Sequence, residues 1–238
     1  MRRPDAATLV VAGILVAGAP VVGVVLAPPF MARATGGAYH SVPSASMAPT
    51  LLPGDVVLGW PLDEDGPARG DVVVYRSGGQ SYIGRVIGLA GERVQITGGV
   101  MRIDDQPAKM QRLEDRRRLL HAGARTERCV EGSVRAGPCS QQRWRETLPG
   151  GHAHVVLNIQ GEIGSSTAGQ GTPGDDTPIF EVPEAHVFIM GDHRDNALDS
   201  RFAARGPIPV VDVAAVITRL HYSTAPERRW AGLLQEVH

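Results

Sequence analysis

Two hydrophobic patterns divide the chain. From Thr8 to Leu26 almost every position is Ala, Val, Leu, Ile or Gly, and no charge interrupts Ala6 to Ala32. A helix over that run rises about 28 Å, close to the thickness of a bilayer core. The pattern predicts one transmembrane helix, bent at Pro20. Arg2 and Arg3 precede it and Arg33 follows. The positive-inside tendency then places the N-terminus in the cytoplasm and the body of the chain outside. A cleaved signal peptide has a similar basic start, but the run is long for one, which favours a retained anchor.

Beyond the anchor the pattern changes to short runs rich in β-branched residues. Asp55 to Leu62, Asp71 to Tyr75, Tyr82 to Ala90, Arg93 to Thr97 and Val100 to Asp104 read as strands. Gly pairs at 78–79 and 98–99 fit tight turns. From Gln106 to Thr177 the texture is different: an arginine-rich stretch, Arg112 to Arg128, then HVVLNI and a Gly/Ser/Thr-rich loop. VFIMGD, from Val187, and VVDVAAVITRL, from Val210, return to strand texture. The expected fold is mainly β, a catalytic β domain with an inserted subdomain, preceded by one N-terminal transmembrane helix. The expected divisions are a cytoplasmic start at 1–5, the anchor at 6–32, the first part of the β domain at 33–105, the insertion at 106–180, and the second part with its tail at 181–238.

Charge narrows the function classes. The net charge is −1, which gives no electrostatic case for nucleic-acid binding. Among the 24 basic residues Lys109 is the one lysine. The arginine-rich stretch reads as a solvated face of the insertion. Cys129 and Cys139 have no histidine between them, so a metal site is not expected; on an outward-facing domain a local disulfide is the favoured state. His152 and His154 alternate and share one face of a strand, without a third ligand in view. No cofactor is expected.

The candidate chemistry lies in two boxes. Ser41 to Asp55 reads SVPSASMAPTLLPGD and Gly191 to Arg201 reads GDHRDNALDSR. Between them lies SYIGRVIGLAGE, Ser81 to Glu92. Together these resemble the bacterial type I signal peptidases, membrane-bound serine endopeptidases that cut signal peptides from exported proteins. The resemblance makes Ser46 the nucleophile. It makes the Ser44 hydroxyl, with the Ser46 backbone N–H, the oxyanion hole. Two fixed donors there stabilise the tetrahedral oxyanion by roughly 2.7–4 kcal/mol each. Arg85 and Asp192 match an ion pair that shapes the site, and Asp199, Ser200 and Arg201 match the closing residues. Implied partners are exported preproteins with signal peptides, the membrane and the secretion machinery. The implied location is the cell membrane, single-pass, with the catalytic domain outside.

One part departs from that pattern. The family's general base is a lysine, and its position holds Gly84. A serine that normally supports that lysine is replaced by Ala197. Arg85, one step on, stays protonated and is no base. Lys109 belongs to a separate strand and turn. The histidine nearest in the motif is His193, a candidate replacement base; His40, shortly before Ser46, is another. Two functions stay open on the sequence: an active endopeptidase with an unconventional base, and a catalytically impaired protein that docks signal peptides or partner peptidases.

Overall fold

The computed structural model describes residues 36–120, 127–130, 132–134, 136–158, 174–225 and 235–237. The expected transmembrane run, 6–32, lies outside them. Among the described residues no helix is long and apolar enough to cross a membrane.

The chain enters through β1 (Ala38–Ser41), β2 (Asp55–Trp60), β3 (Val72–Ser77) and β4 (Gln80–Gly88). In β2, buried positions alternate with half-buried ones, as expected where one sheet face is covered. Strand β3 is buried at four successive positions, Val72 to Tyr75, because both faces of the sheet are covered there. Val72 and Val74 pack with Met47, Leu51, Val57 and Ile217 on one face. Val73 and Tyr75 pack with Val86, Ile189 and Val216 on the other. Its continuous apolar run follows from that double burial. A two-residue turn at Gly78 and Gly79, with φ of 57° and 76°, joins β3 to β4. It fixes the register, placing Tyr75 opposite Tyr82 and Val73 opposite Gly84.

A smaller sheet follows: β5 (Arg93–Thr97), β6 (Val100–Ile103) and β7 (Gln106–Pro107). It has its own core of Ile87, Val94, Ile96, Met101, Ile103, Leu148 and Phe188. Strand β7 extends this sheet into the stretch expected to begin the insertion. The insertion then contributes β8 (Lys109–Arg112), β9 (Arg116–Leu120), β10 (Glu127–Cys129), β11 (Gly132–Val134), β12 (Gly137–Gln141), β13 (Arg143–Thr147) and β14 (Ala153–Leu157). These form a β14-β13-β8 sheet and two separate pairs, β12 with β9 and β10 with β11. A disulfide joins Cys129 to Cys139 across a Cα separation of 5.3 Å. With Leu120 the two cysteines make a small buried cluster.

The chain returns through β15 (Phe180–Glu181), which pairs with β5, and then forms β16 (His186–Met190), β17 (Ile208–Pro209), β18 (Val213–Ser223) and β19 (Gln235–Glu236). The main sheet runs β1-β2-β18-β3-β4-β16-β17, with β19 pairing β18. The run expected as a strand from Val210 begins with a 3-10 turn, Val210–Asp212, and becomes extended at Val213. This order sets β4, carrying Gly84 and Arg85, beside β16, whose end leads into the Gly191 box.

Candidate active site

The Ser41 to Asp55 segment leaves β1 as a series of turns. Val42 N–H donates to Asp55 O and Leu51 N–H to Met47 O. Met47, Ala48 and Leu51 are fully buried, so the segment is anchored on both sides of Ser46. Ser46 itself is half-buried, and its Oγ lies 3.1 Å from Ser44 Oγ. Its backbone N–H donates to none of the described residues. Two hydroxyls and an open N–H therefore stand together.

The Gly191 box is stapled against this segment. His193 N–H donates to Ser46 O at 3.0 Å. A β-carbon on Gly191 would stand 2.7 Å from Ser46 O and would overlap Ala197 Cβ, so the close approach needs glycine. Arg201 holds Asp199 through Nε to Oδ1 and Nη2 to Oδ2, both 2.9 Å. Gly191 N–H also donates to Asp199 Oδ2. Ser200 Oγ accepts from Ile189 N–H, tying the box to β16. Ser44, Ser46, Tyr75, Tyr82, Ile83, Asn196, Ala197, Asp199 and Arg205 line a cleft of about 290 Å³.

Under the cleft lies a buried ionic network. Arg85 and Asp192 form a two-point pair, Nε to Oδ1 at 2.9 Å and Nη2 to Oδ2 at 2.8 Å, with both side chains essentially excluded from solvent. Arg85 Nη1 donates to Gly70 O, and Thr50 donates to Asp192. Strands β13 and β14 add to this network. Glu146 on β13 pairs with Arg194, with Nη1 to Oε1 at 3.0 Å, and lies 3.2 Å from His154 Nε2 on β14. Burial alone would push both carboxyls up. For Asp192 the Arg85 charge together with its hydrogen bonds, His154 and Thr50 outweighs it, and for Glu146 the Arg194 and His154 charges and hydrogen bonds together do, so both are held below the usual carboxylate range. Burial lowers His152, and the nearby Arg85 charge lowers it further. Among the described residues no His, Cys, Asp and Glu cluster suits a metal ion.

Gly84, at the position expected to be vacant of a base, is crowded by its neighbours. The Ile189 Cγ2 methyl stands beside the place a β-carbon on residue 84 would take, too close for both, and Tyr75 Cε1 and Met190 O lie 3.4 and 3.3 Å from it. A β-carbon there would have to displace the isoleucine methyl. His193, the candidate replacement base, is fully buried, and its Nε2 lies 3.3 Å from Gln141 Nε2 on β12. It is not among the residues lining the cleft with Ser46. His40 packs over Gly59 on β2, and burial lowers its pKa. Lys109 is exposed on β8. Tyr75 does line the cleft, but burial pushes its phenol up to about 12, so it keeps its proton at neutral pH.

Several residues around the site were not found from the sequence. Tyr75 was legible in principle, since the Gly-Gly turn fixes its pairing with Tyr82. Ile189, Glu146 and Arg205 carry no local signal: Ile189 lies within an ordinary apolar strand, and the other two resemble many charged residues elsewhere in the chain.

These features define a mainly β protein in which two serines line a cleft beside a buried ionic network. The chain matches the family described as signal peptidase, peptidase S26, over residues 12–221, and it belongs to that family. It is 29% identical over 164 residues to signal peptidase I of Rickettsia prowazekii (strain Madrid E), covering 66% of this chain and 53% of that protein. The signal peptidase I of Rickettsia rickettsii (strain Sheila Smith) is 30% identical with the same coverage. The chain thus spans about half the length of these relatives. A crystal structure of a signal peptidase I from Enterococcus faecalis V583 aligns with a TM-score of 0.31 at 21% identity, covering 64% of this chain and 97% of that one.

Proposed function

We propose that this chain is a membrane-anchored serine endopeptidase of the signal peptidase I type, acting on exported preproteins outside the cytoplasm. The observation that carries the reading is the pairing of Ser46 with Ser44 at 3.1 Å in a cleft closed by the Gly191 box. In this reading Ser46 Oγ attacks the scissile carbonyl. The carbonyl oxygen becomes an anion held by the Ser44 hydroxyl and the Ser46 N–H. The proton from Ser46 must pass to a base.

That last step is the weak one. Asp199 is committed to Arg201 and Gly191, Tyr75 holds its own proton, and Gly84 offers no side chain and is crowded by Ile189. Loss of a general base costs about 10²–10⁴ in rate, while an oxyanion hole and binding alone leave residual catalysis. A second reading, supported by the crowding at Gly84 alone, is a protein that holds signal-peptide ends and scarcely cuts them.

Cleavage of a preprotein by the full chain in detergent, wild type against Ser46→Ala, tests the proposal. Cutting that disappears with Ser46→Ala supports it. Cutting that survives Ser46→Ala overturns it. Binding without cutting in either form transfers the function to the second reading.

A further inference from the structure

We infer that the cleft beside Ser46 is a receptor for a peptide carboxylate, with Arg205 as its counter-ion. The inference rests on the reading of this cleft as a peptide site. Arg205 lies in the loop between Arg201 and β17, and its guanidinium carbon stands 3.7 Å from the centroid of the Tyr82 ring. Stacking on an aromatic face holds a guanidinium flat and leaves its edge donors free. The buried Nε of Arg205 has no hydrogen-bond partner, and the side chain makes no ion pair among the described residues. Three neighbouring arginines differ: Arg85 is paired with Asp192, Arg194 with Glu146 and Arg201 with Asp199. A half-buried cation left unpaired at a cleft is an electrostatic vacancy for an anion.

The rest of the lining has the same polarity. Ser44, Ser46, Tyr75 and Asn196 bring hydrogen-bond donors to the cleft. Tyr75 remains a donor because burial pushes its phenol up to about 12. Asp199 is the one carboxylate lining the cleft, and both its oxygens are already taken by Arg201 and the Gly191 N–H. It therefore neither pairs with Arg205 nor leaves a net negative charge. A cleft with several donors and, among the described residues, one cation outside an ion pair is suited to holding an anion.

The ligand's carboxylate has two possible sources. One is the C-terminal carboxylate of a peptide, such as the free end of a signal peptide after the cut. The other is an Asp or Glu side chain near the end of an intact peptide. The open Ser46 N–H and the Ser44 hydroxyl, where the scissile carbonyl would sit, favour the C-terminal carboxylate.

The test is fluorescence anisotropy on the full chain in detergent micelles. The probes are a fluorescein-labelled peptide ending in Ala as the free acid, the same peptide as the C-terminal amide, and the amide with a Glu beside the end. They are titrated with wild type, Arg205→Gln and Arg205→Lys, with thermal unfolding of each variant checked alongside. The free acid is expected to bind wild type about tenfold or more tightly than the amide, as a charge-assisted hydrogen bond gives. Arg205→Gln should abolish that advantage, and Arg205→Lys should keep part of it. If Arg205→Gln fails to fold, a reduced advantage in Arg205→Lys carries the same conclusion. If the Glu-bearing amide matches the acid, the side chain is the source and the receptor stands. Equal binding of acid and amide, or an advantage that survives Arg205→Gln, overturns the inference and leaves the peptide site intact. Binding of neither peptide overturns both.

Discussion

Ile189 and Gly84 are complementary across β16 and β4: the isoleucine's Cγ2 methyl stands beside the place where a β-carbon on residue 84 would be, too close for both. The position expected from the sequence to hold a lysine is thus crowded as well as empty of a base. Ile189 is fully buried and belongs to the same apolar cluster as Val73, Tyr75 and Val86. A side chain added at residue 84 has to displace part of that core.

Gly84→Lys alone is therefore expected to destabilise the protein by about 1–3 kcal/mol, the usual cost of overpacking a core. Ile189→Ala alone costs about 2–5 kcal/mol as a core truncation, but the double variant Gly84→Lys/Ile189→Ala should lose less than the sum of the two single losses, because the second change removes the crowding methyl. Thermal unfolding of the three variants checks this. Strictly additive losses would mean that Ile189 is not the obstacle.

The Arg85–Asp192 pair carries a different prediction. Asp192→Ala leaves a guanidinium buried with its main counter-charge removed, which typically costs about 3–5 kcal/mol. Replacing a solvent-exposed carboxylate such as Glu64 should change stability little. Chemical denaturation of the two variants separates the cases, and an unchanged midpoint for Asp192→Ala would remove the pair from the account.

The same groups set the acid limit of stability. Asp192 and Glu146 both have folded-state pKa values below their unfolded values. Groups of that kind contribute stability above the unfolded pKa, about 4, and lose it as pH falls through the folded value. The unfolding temperature should accordingly hold between pH 7 and 5 and fall progressively below about pH 4. Glu146→Gln should lower stability at pH 7 and shrink the acid drop. An acid profile identical to wild type would show that Glu146 is not held ionised.

The disulfide predicts a local effect. Cys129 and Cys139 close a short loop within the insertion, and a bridge of that span is worth about 2–3 kcal/mol in the chain-entropy account. The Cys129→Ser, Cys139→Ser double variant should unfold more easily. Its affinity for a peptide should match wild type, since neither cysteine lines the cleft. A fall in affinity comparable to the loss of stability would tie the bridge to the site.

The strands and the two boxes were legible because local patterns specify them. β-branched runs, Gly-Gly turns and the Pro-flanked serine segment are read within a few residues. The placement of Ser44 beside Ser46 follows from that segment alone. The crowding of the Gly84 position was not legible, because it depends on a methyl from Ile189, more than a hundred residues away. The same holds for Glu146: nothing around it in the insertion marks it as the partner of Arg194. His193 was a reasonable candidate by its place in the motif, yet its ring turns to Gln141 on a strand whose docking the sequence does not announce.

The measurement closest to the central claim is preprotein cleavage by the full chain in detergent, comparing wild type, Gly84→Lys/Ile189→Ala, and that double variant with Ser46→Ala. If Ser46 sits in an intact peptidase site whose base position is crowded, the double variant should cut about 10²–10⁴-fold faster than wild type, and adding Ser46→Ala should abolish the gain. Wild type cutting as fast as the double variant, or a gain that survives Ser46→Ala, would contradict the account.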